Sequence, residues 1–159
     1  MRIKLPFTLF HKIIEGLCFL VFLGSLIYLA VNWRFIPDSV PTHFNAAGAA
    51  DAWGGKNSLI ILIAVDAMLY IVMTAASLFP AAWNVPVRIT PENSLRVLPL
   101  IKDMLSLTKL YILVMFGYLI VAASRAMPLG AWFLPLVLVL LLGTNVIYII
   151  LARRAAKGL

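Results

Sequence analysis

Residues 13–31 read Ile-Ile-Glu-Gly-Leu-Cys-Phe-Leu-Val-Phe-Leu-Gly-Ser-Leu-Ile-Tyr-Leu-Ala-Val, a run in which Glu15 is the only charged residue. About 20 helical residues cross roughly 30 Å of hydrocarbon, so this run is long enough to span a bilayer. Three more runs of similar length follow at Leu59–Leu78, Leu105–Ala123 and Trp132–Leu151. Backbone groups in lipid must be satisfied within their own segment, and none of the four runs alternates with the two-residue period of a barrel strand. The sequence therefore predicts an all-α membrane protein with four transmembrane helices, forming a single membrane domain over residues 1–159.

Composition points the same way. Apolar residues make up 64% of the chain and charged residues 12%, with a mean hydropathy of +1.04. A water-soluble domain is about half apolar and about a quarter charged, which excludes that class. The net charge of +7 does not point to nucleic acid, because the basic residues sit at the edges of apolar runs and form no interleaved basic and aromatic stripe. The lone cysteine, Cys18, lies inside the first run and forms no intramolecular disulfide. That run follows Arg2, Lys4 and Lys12 as a signal peptide would, but its apolar core is too long and no clean small-residue cleavage site follows, so it is read as a retained helix.

Orientation follows from the positive charges at the ends of the runs. Arg2, Lys4, Lys12, Arg88, Arg96, Lys102, Arg153, Arg154 and Lys157 fall on one side, and Arg34, Lys56 and Arg125 on the other. Nine against three predicts cytoplasmic termini and an extracytoplasmic loop between helices one and two. Trp33, Trp53, Trp83 and Trp132 fall near the boundaries, where interfacial aromatics collect.

The outer loop reads Ile-Pro-Asp-Ser-Val-Pro-Thr-His-Phe-Asn-Ala-Ala-Gly-Ala-Ala-Asp-Ala-Trp-Gly-Gly-Lys over residues 36–56. Pro37 and Pro41 favour extended chain, Asn45, Gly48, Gly54 and Gly55 favour turns, and Ser58 is placed to cap the next helix. This is a shaped loop whose aromatics, Phe44 and Trp53, are expected to fold it back over the helices. Its candidate ligand-binding residues are His43, Asn45, Asp51 and Lys56 as polar contacts, with Phe44 and Trp53 as anchors. One imidazole and one carboxylate fall short of a metal site, so no metal is assigned.

Pro41-Thr-His-Phe-Asn45, Gly48, Asp51 and Trp53-Gly54 with Lys56 resemble the signature of a bacterial membrane domain of unknown function at the amino-terminal end of the SdpI immunity proteins. Asn84-Val-Pro, Thr90-Pro-Glu-Asn93 and Met104-Leu105 resemble it as well, so the likeness covers roughly residues 33–109. The resemblance implies a multi-pass protein of the bacterial inner membrane, in a family whose longer members protect a cell from its own secreted toxic peptide and help signal that peptide. With four apolar runs, fewer than those proteins have, family membership is implied ahead of shared activity.

Between helices two and three, Thr90, Pro91 and Glu92 start a helix, Glu92 is spaced to pair with Arg96, and Pro99 is expected to break or kink it before helix three. Ionisable groups inside spans are costly and are therefore site candidates. Asp66 in helix two falls at the depth of Ser25 and Tyr28, which could hydrogen-bond it; a structural hydrogen bond and a proton- or ligand-binding role both fit. Glu15, Lys109 and Asn145 share a depth on the inner side and are expected to form one cluster, with Glu15 and Lys109 paired. Lys102, Ser106 and Lys109 make a polar stripe at helical spacing.

No serine or cysteine stands beside a base, no paired glutamates occur and no glycine-rich phosphate cradle opens a helix, so the expected function is non-enzymatic and needs no cofactor. Three readings remain: an SdpI-like protein binding a peptide or lipid-like ligand at its outer loop, an accessory subunit of a larger membrane complex, or a small ion-coupled transporter. The last lacks a repeat and discontinuous helices; Pro135 and Gly143-Thr-Asn145 are its only helix-weakening features. The partners implied are membrane lipids, a peptide, and a protein partner or second copy of the chain, with no nucleic acid.

Overall fold

Four helical rods carry about two thirds of the chain, and each is long and apolar enough to cross a membrane. The computed structural model describes residues 5–158; Arg2 and Lys4, counted above among the basic residues, lie outside the described residues. Helix α1 spans Leu9–Asn32 and opens on a capping box, in which the Thr8 backbone N–H donates to His11 Nδ1 at 3.2 Å. It closes where Asn32 Nδ2 donates to the Tyr28 carbonyl and a short 3₁₀ turn, Trp33–Phe35, leads to extended Ile36 before Pro37.

The segment that follows is a two-stranded antiparallel hairpin of β1, Ser39–Phe44, and β2, Ala50–Gly55. Helix α2 then runs back over Ser58–Leu78. Ser58 is its first helical residue and Asn57 holds the cap position without a side-chain bond, so the expected Ser58 cap is not made. Pro80 ends the helix by starting a separate 3₁₀ turn.

Helix α3 spans Pro91–Ser124, 34 residues, or about 51 Å, against the 19 expected from hydropathy. Thr90 is its N-cap, with its N–H on Asn93 Oδ1 at 2.8 Å. The helix continues through Pro99 without the break expected there, so the predicted surface helix and the third span are one element. Glu92 and Arg96 are not among the ion pairs of the described residues.

The fourth rod, Phe133–Lys157, is not uniform. Helix α4, Phe133–Leu138, passes into a π turn at Val139–Gly143 and then into α5, Thr144–Lys157. Asn145 Nδ2 donates to the Leu141 carbonyl at 2.7 Å, which gives a partner to a backbone oxygen within the irregular turn.

Helix α3 is the centre of the packing, touching α1, α2 and α5. Its buried positions Lys102, Ser106, Lys109, Leu113 and Ile120 recur every three to four residues and form one inward face. At Gly117 an added Cβ would lie 2.8 Å from Ser25 Oγ, so glycine sets how closely α3 approaches α1. Around the hairpin end, Leu29, Ile36, Val40, Leu59, Ile63, Ile120 and Ala123 form one apolar cluster that ties the hairpin to three helices.

The hairpin is fixed at its tip too. The Leu129 N–H, in the loop after α3, donates to the Gly48 carbonyl at 2.8 Å. Gly48 has φ +76°, and a Cβ there would lie 2.5 Å from the Gly130 carbonyl oxygen, a backbone atom that has no rotamer to move. Gly48→Ala is therefore expected to destabilise the protein by about 2 kcal/mol, from strain plus lost docking. Gly55→Ala, with nothing within 4 Å, is expected to be near neutral. Thermal unfolding of the two variants in detergent checks this, and equal midpoints would contradict it.

Candidate functional site

The hairpin carries six of the residues singled out above, and its register decides how they meet. Pro41 pairs with Trp53, His43 with Ala52 and Phe44 with Ala50, which leaves Thr42 extra on β1 and Asp51 extra on β2. The two irregularities re-aim adjoining side chains, so that His43 Nδ1 lies 2.5 Å from Asp51 Oδ1. Both side chains are exposed, at 67% and 43%. Asn45 stands elsewhere: its Oδ1 accepts from the N–H groups of Ala47 and Ala49 at 3.0 and 3.1 Å and builds the turn. Lys56 lies at the opposite end of the hairpin, with Nζ 2.9 Å from Asp38 Oδ1 and 5.8 Å from the centre of the Trp33 ring.

The four polar candidates thus divide among the exposed His43–Asp51 pair, the Asn45 turn and the ion pair of Lys56 with Asp38, rather than forming a single binding cluster. The aromatic anchors also divide. Phe44 packs against the apolar cluster at the hairpin end, whereas Trp53 is 54% exposed. Among the described residues no group of three or more His, Cys, Asp or Glu could hold a metal ion.

Beneath the hairpin the chain leaves a cleft of about 430 Å³. Its roof is Pro41, Thr42 and Phe44 of β1, and its walls include Leu62 and Val65 of α2 and Phe116 and Leu119 of α3. The hydroxyls of Thr42 and Ser58 are the only side-chain polar groups among the lining residues. That volume suits a small ligand or part of a larger one, and the lining selects apolar matter. No sequence pattern marks this site, because its walls are ordinary apolar residues of spans and only their placement under β1 makes them distinctive.

Deeper, the structure brings Glu15 and Lys109 into contact. Lys109 Nζ donates to Glu15 Oε1 and Oε2 at 2.5 and 2.7 Å and to Thr74 Oγ1 at 3.0 Å, and it lies 5.4 Å from the centre of the Tyr70 ring. The ammonium's charge and donors are met from α1 and α2 at once. Asn145, expected in the same cluster, instead reaches Thr108 Oγ1 at 3.5 Å and serves the π turn. Asp66 is fully buried, and neither carboxyl oxygen has a hydrogen-bond partner among the described residues. Ser25 and Tyr28, its expected partners, are engaged elsewhere: Ser25 donates to the Val21 carbonyl, and the Tyr28 hydroxyl meets Ser124 and Arg125.

Sequence reading missed one polar network, at the end of the bundle away from the hairpin. His11 Nδ1 is 2.7 Å from Thr8 Oγ1, and its Nε2 is 2.9 Å from Asp103 Oδ1. Lys102 Nζ donates to the Pro6 carbonyl at 3.1 Å and lies 5.0 Å from the centre of the Phe7 ring. Together these contacts strap residues 6–11 to α3. The usable signal was the capping spacing of Thr8 and His11, which aims the histidine at its neighbour helix.

The Glu15–Lys109 geometry makes an asymmetric prediction. Lys109 is 2% exposed and Glu15 is 23% exposed, so a stranded ammonium is worse than a stranded carboxylate. Glu15→Gln should cost about 3 kcal/mol, Lys109→Met less, and the double variant less than Glu15→Gln alone. Thermal unfolding of the three variants in detergent is the check; additive losses would contradict pairing.

A protein-family model described as "Domain of unknown function (DUF1648)" matches residues 20–65, from the middle of α1 through the whole hairpin to the α2 wall of the cleft. No curated protein and no solved structure matches the chain.

Proposed function

We propose that this multi-pass membrane protein is a non-enzymatic, SdpI-like binding protein that takes the apolar part of a membrane-active peptide into the cleft beneath its hairpin. The observation that carries the reading is the cleft itself, apolar-walled and roofed by the strand that bears Pro41-Thr-His-Phe44, with its roof and its α2 wall, though not its α3 wall, in the matched segment. The charged groups of the hairpin pair among themselves, so selection rests on shape and apolarity rather than on a charge left free.

We place the hairpin outside the bacterial inner membrane and both termini in the cytoplasm. Of the described basic residues at helix ends and in loops, Lys12, Arg88, Arg96, Lys102, Arg153, Arg154 and Lys157 lie at the end away from the hairpin, against Arg34, Lys56 and Arg125 beside it. In a Cys18→Ala background, an impermeant maleimide added to whole cells is expected to label Ser39→Cys and to leave Glu92→Cys unlabelled, both sites being exposed at opposite ends of the bundle; the reverse would invert this topology.

The binding reading is tested by purifying the full chain in mild detergent and identifying, by native mass spectrometry, what remains bound. A peptide of up to a few kilodaltons should accompany the wild type and the Ile147→Trp control, whose site is exposed on α5, and should be lost from Val65→Trp, which fills the cleft. A bound lipid lost in the same way would transfer the site to an acyl chain. A stoichiometric large protein retained by all three would favour the accessory-subunit reading instead, to which the fourth rod lends itself because no residue of its apolar window is buried.

A further inference from the structure

Asp66 is, among the described residues, the one carboxyl at the core of the three-helix junction that has no hydrogen-bond partner. It lies eight residues after Ser58, about 12 Å along α2, on the buried face it shares with Leu59 and Ile63. Ile63, three residues before it, belongs to the apolar cluster at the hairpin end; Tyr70, four after it, packs on a second cluster of Ile14, Cys18 and Leu113. Both clusters draw on α1, α2 and α3, so the carboxyl is enclosed between them. An ionised carboxylate held there without a hydrogen bond or a counter-charge is strongly disfavoured, whereas the neutral acid costs far less.

The titratable groups that face the junction are accounted for. From α1 come Glu15, Cys18 and Tyr28; from α2, Tyr70; from α3, Lys109, with Arg125 just past its end. Glu15 and Lys109 neutralise each other, and Arg125 is engaged at the Tyr28 hydroxyl. None of these charges is a hydrogen-bond partner of Asp66. A metal cation would need several oxygen ligands around the carboxylate, and neither the hydroxyls of Ser25 and Tyr28 nor any other described side chain bonds to it. A proton needs no ligand set.

We propose that Asp66 is a proton-binding site that locks the α1–α2–α3 junction: the closed packing holds the neutral acid, and loss of the proton forces the helices apart to admit water to the carboxylate. The closed form binds the proton and the open form releases it, so closure is favoured at low pH and lost as pH rises. The site is independent of the cleft reading, since Asp66 does not line the cleft.

The chain carries its own reporter. Cys18 is the single cysteine, is fully buried, and packs beside Tyr70 one turn from Asp66. The full chain in lipid nanodiscs is followed from about pH 5 to about pH 9 by infrared spectroscopy and by maleimide labelling of Cys18, in wild type and in Asp66→Asn. Wild type should show a carboxylic-acid carbonyl band at low pH that Asp66→Asn lacks and that fades as pH rises. Over the same range its Cys18 labelling, divided by that of Asp66→Asn to remove ordinary thiol ionisation, should climb about tenfold, as a minor open state becomes the main one. Should Asp66→Asn fail to fold, wild-type labelling is divided by that of a denatured sample. A missing band, a band that persists unchanged to high pH, or a labelling ratio that stays flat would each overturn the proposal.

Discussion

An ammonium group enclosed among helices in hydrocarbon must find its partners within the protein, and Lys109 makes that demand at the centre of the longest helix. Glu15 answers from α1, and Thr74 with the face of Tyr70 answers from α2. Three helices are thereby placed in one register, since shifting any of them by a residue would carry its partner around the helix and out of reach. The apolar contacts on either side could be made in several registers; this one cannot.

Everything at the hairpin end inherits that register. With α1 and α2 held against α3, Asn32 and Ser58 come to the same end of the bundle, and the chain between them closes as a hairpin rather than a tether. Val40 enters the cluster built from Leu29, Ile63 and Ile120, and Gly48 receives the loop after α3. Because both the base and the tip are held, β1 roofs a space of fixed shape between α2 and α3. At the other end, His11 and Lys102 tie the start of α1 to the extension of α3 by the same logic of satisfying polar groups locally.

How much of this was legible in the sequence depended on the range of the interaction. The four spans were read from length and hydropathy, because lipid acts on each segment separately. Helix α3 was read too short because Glu92, Arg96, Lys102 and Asp103 lower its local hydropathy, although charged residues cost a helix nothing once it leaves the hydrocarbon. Pro99 removes one backbone bond, which does not by itself end a helix that neighbours hold on both sides. The loop was recognised as shaped, but not as strands, because a six-residue β-run carrying proline and glycines has weak alternation. Residue pairings were legible only where chemistry forces them: Glu15 and Lys109 had few alternatives at their depth, whereas Asn145 found a nearer need in the π turn. The cleft was illegible, being a property of where apolar walls stop.

Under the proposed function, the space under β1, between α2 and α3, takes the apolar part of a membrane-active peptide. The most direct measurement is photocrosslinking in membranes with an amphipathic peptide carrying a diazirine on one apolar side chain, the adducts being located by mass spectrometry. Adducts are expected to concentrate on Leu62, Val65, Phe116 and Leu119, with few on the apolar and more exposed surface of α4 and α5. Adducts spread evenly over all lipid-facing residues, or concentrated on the fourth rod, would contradict it.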